Sequence, residues 1–188
     1  MVKMVKEGAS QKEQASQDSL YEQAAEIYSS ALDRLARAYE LDGEARRDLV
    51  QEIHLHLWRS FSKFDQRCSL RTWVYRVAHN VAATHVTRQR RIRERLVNVE
   101  DIEIVENLAD DNQSELAISQ NQALERLSTL IQRLKPLDRQ IIISYLEGMP
   151  ASAISEITGL SPANIAMKVH RITKILKRWF GEGGLDVQ

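Results

Sequence analysis

The 188-residue sequence is poor in cysteine, proline and glycine, and each shortage excludes a class of protein. Cys68 is the only cysteine, so an internal disulfide is excluded and a reducing cytoplasm is the expected location. Three prolines and seven glycines leave long stretches free for helix, and no alternating strand pattern stands out. No apolar run approaches the roughly 20 residues that span a bilayer, and the polar N-terminal stretch lacks a signal-peptide core. We therefore expect a soluble, cytoplasmic, all-α protein.

Charge is segregated along the chain, although the formal net charge is zero. A basic block is followed at once by an acidic one. The basic block contains Arg88, Arg90, Arg91, Arg93 and Arg95, and the acidic block contains Glu100, Asp101, Glu103, Glu106, Asp110, Asp111 and Glu115. The separation of positive and negative charge is more informative than the net charge, and it permits a nucleic-acid partner.

The pattern of apolar residues predicts two small helical domains joined by a flexible acidic linker. The first domain, a compact three-helix unit, is predicted over 18–95, and the linker over 96–118. The second domain is predicted over 119–180. Residues 1–17 form a loose polar tail in this prediction, and residues 181–188 form a second tail.

The third helix of the first domain has two distinct faces. Ser69 is its predicted N-cap, and its inner stripe consists of Leu70, Trp73, Val74, Val77 and Val81. Its predicted outer face carries Arg71, Tyr75, Arg76, Asn80 and Thr84. Cations interleaved with an aromatic ring suit single-stranded or melted nucleic acid. A tyrosine at the edge of the core with solvated arginines is an equally open interpretation.

The C-terminal segment has the pattern of a helix-turn-helix. Gly159 supplies the turn, Ser161 is a good N-cap, and Pro162 suits the first helical position. The following helix is predicted to bury Ile165, Val169, Ile172 and Leu176. Its outer face then presents Asn164, Met167, Lys168, Arg171 and Lys174. The N-terminal part of such a helix enters the major groove. A solvated basic face is the alternative for any single residue.

These segments together resemble the extracytoplasmic-function (ECF) sigma factors of the bacterial sigma-70 family. The run from Asp48 to Glu52, with Leu57-Trp58, is similar to family region 2.2. The run from Leu70 to Ala78, with Asn80, is similar to regions 2.3 and 2.4. The stretch from Leu124 to Phe180 is similar to region 4. The likeness covers most of the chain in the family's order.

The resemblance implies RNA polymerase core and promoter DNA as partners, with a role for each motif. Docking on the polymerase would involve Asp48, Leu49, Gln51, Glu52 and Trp58. The melted downstream element would be held by the 64–69 loop and the third helix, through Phe64, Asp65, Gln66, Arg67, Arg76 and Asn80. The upstream duplex element would be read by Asn164, Met167, Lys168 and Arg171. The acidic linker would extend toward the active-site channel of the polymerase.

Two departures from the family pattern qualify these expectations. The run Ala45-Arg46-Arg47 stands where the family usually carries acidic residues, which suggests that polymerase binding needs a trigger. Phosphorylation at Ser60 or Ser62 by a kinase, or a partner protein, is the hypothesis. An anti-sigma factor is a further candidate partner. The recognition helix also departs, with Ala166, Met167 and Thr173 where the family tends to carry lysine, serine and arginine.

Two other functions remain open, and enzymatic chemistry is not expected. The chain could be a sigma-like decoy that binds an anti-sigma factor, or a helix-turn-helix transcriptional regulator. His54 and His56 are two residues apart and point to different helix faces, so a shared metal is not expected. Phosphate-binding glycine loops and paired catalytic carboxylates are missing from the sequence, so we expect no cofactor and no catalytic residue.

Overall fold

The structure is a computed structural model that describes residues 2–97 and 115–182, with side-chain surroundings for residues 14–92 and 122–179. Its helices are α1 (Val2–Tyr39), α2 (Gly43–Phe61), α3 (Leu70–Val97), α4 (Glu115–Gln132), α5 (Pro136–Leu146), α6 (Ala151–Thr158) and α7 (Pro162–Glu182). The two described stretches contain no strand, so the predicted all-α fold is confirmed. Within the same stretches, no helix has both the length and the apolar character needed to cross a membrane.

The first domain is a three-helix unit in which α1, α2 and α3 pack against one another. The Asp42 side chain caps α2 by accepting the Ala45 N–H at 2.8 Å, and Ser69 Oγ accepts the Thr72 N–H at 3.1 Å. The predicted cap at Ser69 is therefore present. The core is built from the predicted apolar stripes, and its fully buried members are Leu32, Leu35, Leu49, Ile53, Leu57, Val74 and Ala78. Burial of each large side chain contributes about 1.5–3 kcal/mol.

Helix α1 begins much earlier than the sequence pattern predicted. The segment expected to be a loose polar tail over 1–17 is part of the helix, which starts at Val2. Residues 11–17 are mostly glutamine, lysine, glutamate and alanine, which favour helix when no proline interrupts them. The end of this segment also has a tertiary partner, since Gln17 Nε2 donates to the Trp58 carbonyl oxygen at 2.7 Å.

The second domain contains α4 to α7, and the boundary between α6 and α7 follows the predicted turn and cap. Pro136 is the first residue of α5, and Gly159 ends α6 in the left-handed conformation with φ of 75°. Ser161 Oγ accepts the Asn164 N–H at 3.3 Å at the start of α7. The core of this domain contains the buried side chains Ile131, Ile141, Ile142, Ile154, Ile165, Ile172 and Leu176.

The two domains pack against each other, a contact that the sequence pattern did not predict. Helix α3 contacts α5 and α6, and α1 contacts α4. Of the predicted linker over 96–118, residues 98–114 lie outside the described residues, whereas 96–97 belong to α3 and 115–118 to α4. The tight α5–α6 turn at 147–150 therefore faces α1 and α3 of the first domain, and this placement decides which candidate residues are accessible.

Candidate nucleic-acid interface

The outer face of α7 is accessible at its N-terminal end, where the sequence predicted contacts with duplex DNA. Asn164 is exposed, and Met167 is 64% exposed although it is apolar. The cap at Ser161 and the left-handed Gly159 together fix the angle at which α7 leaves the turn. An amide at Asn164 can pair with adenine, and an apolar side chain such as Met167 can contact a thymine methyl group.

Lys168 and Arg171, the other two predicted contacts on α7, are paired with an acidic residue that the sequence reasoning missed. Lys168 Nζ lies 2.7 Å from Asp138 Oδ1, and Arg171 Nη2 lies 3.1 Å from Asp138 Oδ2. Asp138 is 8% exposed and sits in the first turn of α5. An acid in a first turn normally complements the helix dipole, so local sequence offered no signal of this second role. The pairing holds both cations in defined positions on the candidate DNA face.

The loop between α2 and α3 combines a half-buried ring with exposed polar residues. Phe64 is half-buried, with its ring centroid 5.3 Å from that of Trp73 and 6.2 Å from that of Phe61. Asp65 and Arg67 form an exposed ion pair with Nε and Oδ2 3.0 Å apart. Gln66 between them has φ of 60°, an uncommon conformation for a non-glycine residue. The loop therefore presents the three polar side chains to solvent, while Phe64 anchors it.

The predicted outer face of α3 is only partly exposed, and Tyr75 requires a correction. Tyr75 is 1% exposed and belongs to the core, so its ring is not on an open surface. Burial raises its pKa to about 12, and its hydroxyl donates to Glu147 Oε2 at 3.2 Å. Asn80 is exposed, as predicted. The sequence pattern placed Tyr75 outside because spacing along one helix does not show which second helix will cover it.

Arg71 and Arg76, also predicted on this face, contact the second domain. An Arg71 Nη2 donor contacts the carbonyl oxygen of Glu147, and Arg76 Nη2 donates to the carbonyl oxygen of Glu156 at 3.0 Å. Arg34 of α1 joins the same cluster, with Nε 2.8 Å from Glu147 Oε1 and Nη2 2.7 Å from Oε2. This hydrogen bond raises the pKa of Arg34. The α5–α6 turn therefore covers part of the basic face of α3.

His79 lies at the centre of the contact between the domains. Its Nδ1 is 3.0 Å from the Tyr39 hydroxyl, and its Nε2 is 3.0 Å from Ser144 Oγ of α5. Both His79 and Ser144 are almost completely buried. Burial lowers the pKa of His79 to about 3, because the charged imidazolium would lose its hydration. The contact therefore includes a neutral, fully hydrogen-bonded histidine.

The residues predicted to dock on the polymerase divide into exposed and buried groups. Asp48 and Gln51 are exposed on α2. Leu49 is 0% exposed and fills the core, so its assignment as a docking contact is corrected. Glu52 is partly exposed and pairs with Arg88, with Oε2 and Nη2 3.1 Å apart. Trp58 donates Nε1 to Asp18 Oδ1 at 2.7 Å, which fixes its indole against α1.

Comparisons with known proteins match both domains. The family model described as Sigma-70 region 2 matches residues 25–92, and the one described as Sigma-70, region 4 matches residues 124–176. The ECF RNA polymerase sigma factor SigX of Bacillus subtilis is 25% identical over 142 residues, which is 73% of this chain and 71% of that protein. The two matched regions together span more than half of the chain.

Solved structures share the fold at lower sequence identity. The structure of CnrH in complex with the cytosolic domain of CnrY has a TM-score of 0.64 and 16% identity, covering 91% of this chain and 94% of that one. The sigma factor RpoE in complex with the anti-sigma factor NepR from Bartonella quintana has a TM-score of 0.63 and 18% identity. That match covers 84% of this chain and 94% of the other.

Proposed function

The chain belongs to the ECF group of the sigma-70 family, and we propose that it is an alternative sigma factor that carries RNA polymerase core to two-element promoters. Proteins of this family are transcription regulators rather than enzymes. In this proposal the chain recognises an upstream duplex element, holds a melted downstream element, and leaves the chemistry to the polymerase. The observation that carries the proposal is the presence, on two separate domains, of a capped recognition helix and a polar loop beside a basic helix.

For the upstream element, we propose that α7 lies in the major groove. Asn164 and Met167 would contact base edges, since both are exposed near the N-terminus of the helix. Lys168 and Arg171 would contact guanine or phosphate, with their positions set by Asp138. Each of these cations has donors to spare, because a carboxylate engages only part of a guanidinium or ammonium group.

For the downstream element, we propose that the 64–69 loop holds a base flipped out of the duplex. The packing of Phe64 against Phe61 and Trp73 supports this role by anchoring the loop. Asp65, Gln66 and Arg67 supply exposed donors and acceptors for a base edge. Asn80 is accessible to the melted strand, whereas Arg76 would reach it once its contact with Glu156 is released.

For the protein partners, we propose RNA polymerase core and an anti-sigma factor. Asp48, Gln51 and the partly exposed edge of Glu52 form the polar face of α2 that would meet the polymerase. The CnrH and RpoE structures were both determined as complexes, CnrH with the cytosolic domain of CnrY and RpoE with the anti-sigma factor NepR. Their shared fold supports an equivalent partner for this chain. The chain would then direct transcription only after that partner is released.

A decoy is the second candidate, and one observation favours it. The α5–α6 turn covers Arg71 and α6 covers Arg76, so part of the basic face is not available to DNA in this arrangement. A decoy that only sequesters an anti-sigma factor would not need that face. The two proposals differ in whether the chain directs initiation when it is mixed with core polymerase.

Run-off transcription with purified bacterial core polymerase and the unmodified chain tests the proposal. The template is genomic DNA upstream of the chain's own gene, and core polymerase alone is the control. A defined transcript that requires the chain supports a sigma factor. No transcript leaves two interpretations, a decoy or a sigma factor that needs a trigger, and core-polymerase binding with and without a phosphomimetic Ser62→Glu change separates them.

Matched variants of α7 test the DNA contacts separately. Lys168→Ala should weaken binding to the upstream duplex by about 1–3 kcal/mol if the lysine contacts a base. Lys177→Ala removes the same charge from the same helix at an exposed position two to three turns further on, and should have a much smaller effect. Equal losses for the two variants would reject the assignment of Lys168.

The trigger hypothesis from the sequence can be narrowed to one serine. Ser60 Oγ donates to the Leu57 carbonyl at 2.8 Å and accepts from Trp73 Nε1 at 2.9 Å, and the side chain is half-buried. Ser62 is exposed at the C-terminal end of α2, so we propose Ser62 as the modified residue. Tight binding of core polymerase by the unmodified chain would reject the need for a trigger.

A further inference from the structure

We infer that Arg34, Arg71 and Tyr75 form a phosphate-binding site for promoter DNA, and that the Glu147 carboxylate of the second domain occupies this site when the domains are packed together. The inference rests on the proposed function, because it names the ligand as the backbone of the promoter. It adds a contact on α1 that the family regions recognised in the sequence did not include. It also makes the packed arrangement self-inhibiting.

The geometry around Glu147 is that of an anion site. Arg34 engages both carboxylate oxygens through two different nitrogens, at 2.8 and 2.7 Å. The Tyr75 hydroxyl donates to Oε2 at 3.2 Å, and Arg71 contacts the backbone carbonyl oxygen of the same residue. The Glu147 side chain is only 13% exposed, so most of its surface is covered by these donors.

This set of donors suits a phosphate group at least as well as a carboxylate. Planar guanidinium groups bind carboxylate and phosphate in the same two-pronged manner. Arg34 pairs with the carboxylate, whereas Arg71 meets only the backbone carbonyl of the same residue, so Arg71 has a charge that a phosphate could neutralise and the carbonyl cannot. Phosphate contacts of this kind position a protein on nucleic acid without reading its sequence.

Arg76, the neighbouring arginine, is not fully hydrogen-bonded by the second domain, and this observation is independent of Glu147. Arg76, about one turn further along α3 than Arg71, donates Nη2 to the Glu156 carbonyl oxygen at 3.0 Å. Its Nε is buried and, within the described part of the chain, has no hydrogen-bond acceptor. A buried donor without an acceptor costs free energy, which a better-matched ligand would recover. Arg71 and Arg76 of α3 are therefore both covered by backbone acceptors of the second domain.

Glu147 and DNA cannot occupy the site at the same time. Promoter binding to Arg34, Arg71 and Tyr75 therefore requires the two domains to separate. The apparent affinity for single-stranded DNA is then the intrinsic affinity multiplied by the fraction of open molecules. Removing the carboxylate charge should raise that fraction. The isosteric Glu147→Gln change keeps the volume of the side chain and removes its charge.

The test measures binding of the full chain to a fluorescent oligo(dT) strand of about 12 nucleotides, by anisotropy over a range of salt concentrations. Glu147→Gln should bind about tenfold more tightly than the wild type, because more molecules are open. Both proteins bind DNA in the same open arrangement, so the slope of log affinity against log salt should stay nearly unchanged, whereas adding Arg71→Ala should make it shallower by about 0.7 through the loss of one phosphate contact. Glu156→Gln is the matched control, since it removes one charge nearby while Arg76 contacts only the backbone of that residue.

Three results would overturn the inference. Unchanged DNA binding by Glu147→Gln would mean that the carboxylate blocks nothing. An equal gain for Glu156→Gln would mean that only overall charge matters. Retention of the gain in the double variant Glu147→Gln with Arg71→Ala would mean that Arg71 is not part of the site.

A loss of folding, a failure of the proposed site and a failure of the proposed function give different results. Circular dichroism melts verify that each variant is folded, and Arg34→Ala provides a second probe because this side chain is 58% exposed. Arg34→Ala should open the domains but make the salt slope shallower than that of Glu147→Gln by about 0.7, because one phosphate contact is lost. An unchanged slope would also count against the site. Wild-type run-off transcription with unchanged Glu147→Gln binding would reject the site alone. The predicted binding without any transcript, from the unmodified chain and from a Ser62→Glu variant alike, would reject the sigma-factor proposal alone.

Discussion

Acidification should destabilise the packed arrangement of the two domains, because His79 is buried there in its neutral form. Its two ring nitrogens contact Tyr39 of α1 and Ser144 of α5, and the Tyr75 ring of α3 lies 6.2 Å away. Burial raises the pKa of both tyrosines, so neither supplies a negative charge. Beyond these rings lie two cations, the guanidinium of Arg139 at 5.3 Å from the centroid of the Tyr39 ring and that of Arg71 at 5.8 Å from the centroid of the Tyr75 ring. An imidazolium at this position would have no carboxylate partner among these groups.

The sign and size of the effect follow from the two pKa values of His79. Its pKa is about 3 in the packed structure and returns toward 6.5 when the ring is exposed. Above 6.5 the ring is neutral in both states, so its contribution to stability is fully present. As the pH falls from 6.5 toward 3, only the exposed state gains a proton, and each unit costs the packed structure about 1.4 kcal/mol. At about pH 5 the loss should be roughly 2 kcal/mol.

Urea unfolding followed by circular dichroism measures this loss, with His79→Gln as the control. Glutamine can donate and accept hydrogen bonds but does not titrate. The pKa of His54 is also lowered by burial, and this second contribution cancels in the difference between the two proteins. The wild type should lose about 2 kcal/mol more than His79→Gln between neutral pH and about pH 5. Parallel pH profiles, or an imidazole that titrates near its ordinary pKa in the folded chain, would refute the reasoning.

Three further changes test other parts of the structure. Asp138→Asn should release Lys168 and Arg171, so that unrelated duplexes bind more tightly and discrimination for the upstream element falls about fivefold. Anisotropy with one matching and one unrelated duplex measures this, and equal changes on both duplexes would contradict it. Gly159→Ala should cost about 1–2 kcal/mol in thermal unfolding, since a Cβ there meets nothing within 4 Å and only the positive φ is strained; an unchanged melting temperature would contradict it. Ile53→Ala should cost about 2–5 kcal/mol by urea unfolding, because the side chain is fully buried, and a loss below 1 kcal/mol would show that the site collapses around the smaller residue.

Local sequence signals predicted the helices well where capping and apolar spacing agreed. Ser69 and Ser161 were both expected to cap helices, and both accept the N–H expected of a cap. The recognition helix was predicted with its buried stripe, including Ile165 and Ile172. These features depend on contacts within a few residues, so a single sequence contains the information. The early start of α1 was missed because polar residues of high helix propensity resemble a tail when no apolar stripe accompanies them.

The candidate site was predicted less completely, because exposure is a property of the assembled domain. Leu49 and Tyr75 lie in the motifs that resemble the family's functional regions, yet both side chains are buried. Asp138 was not predicted at all, since its cationic partners are 30 and 33 residues away in sequence. The docking and DNA-binding assignments that remain exposed, among them Asp48, Gln51 and Asn164, stay predictions for experiment.

The sequence by itself determined the family, the helices and their caps, since these arise from short-range patterns of apolar spacing and hydrogen bonding. Only the tertiary structure decided which of the basic residues are free to act. Arg34 and Glu147 are 113 residues apart, and nothing in either local pattern indicates that they meet. Their contact depends on how two separately folded helical units bury their remaining surfaces, with the His79–Ser144 pair between them. That packing places a carboxylate of one domain on the basic face of the other.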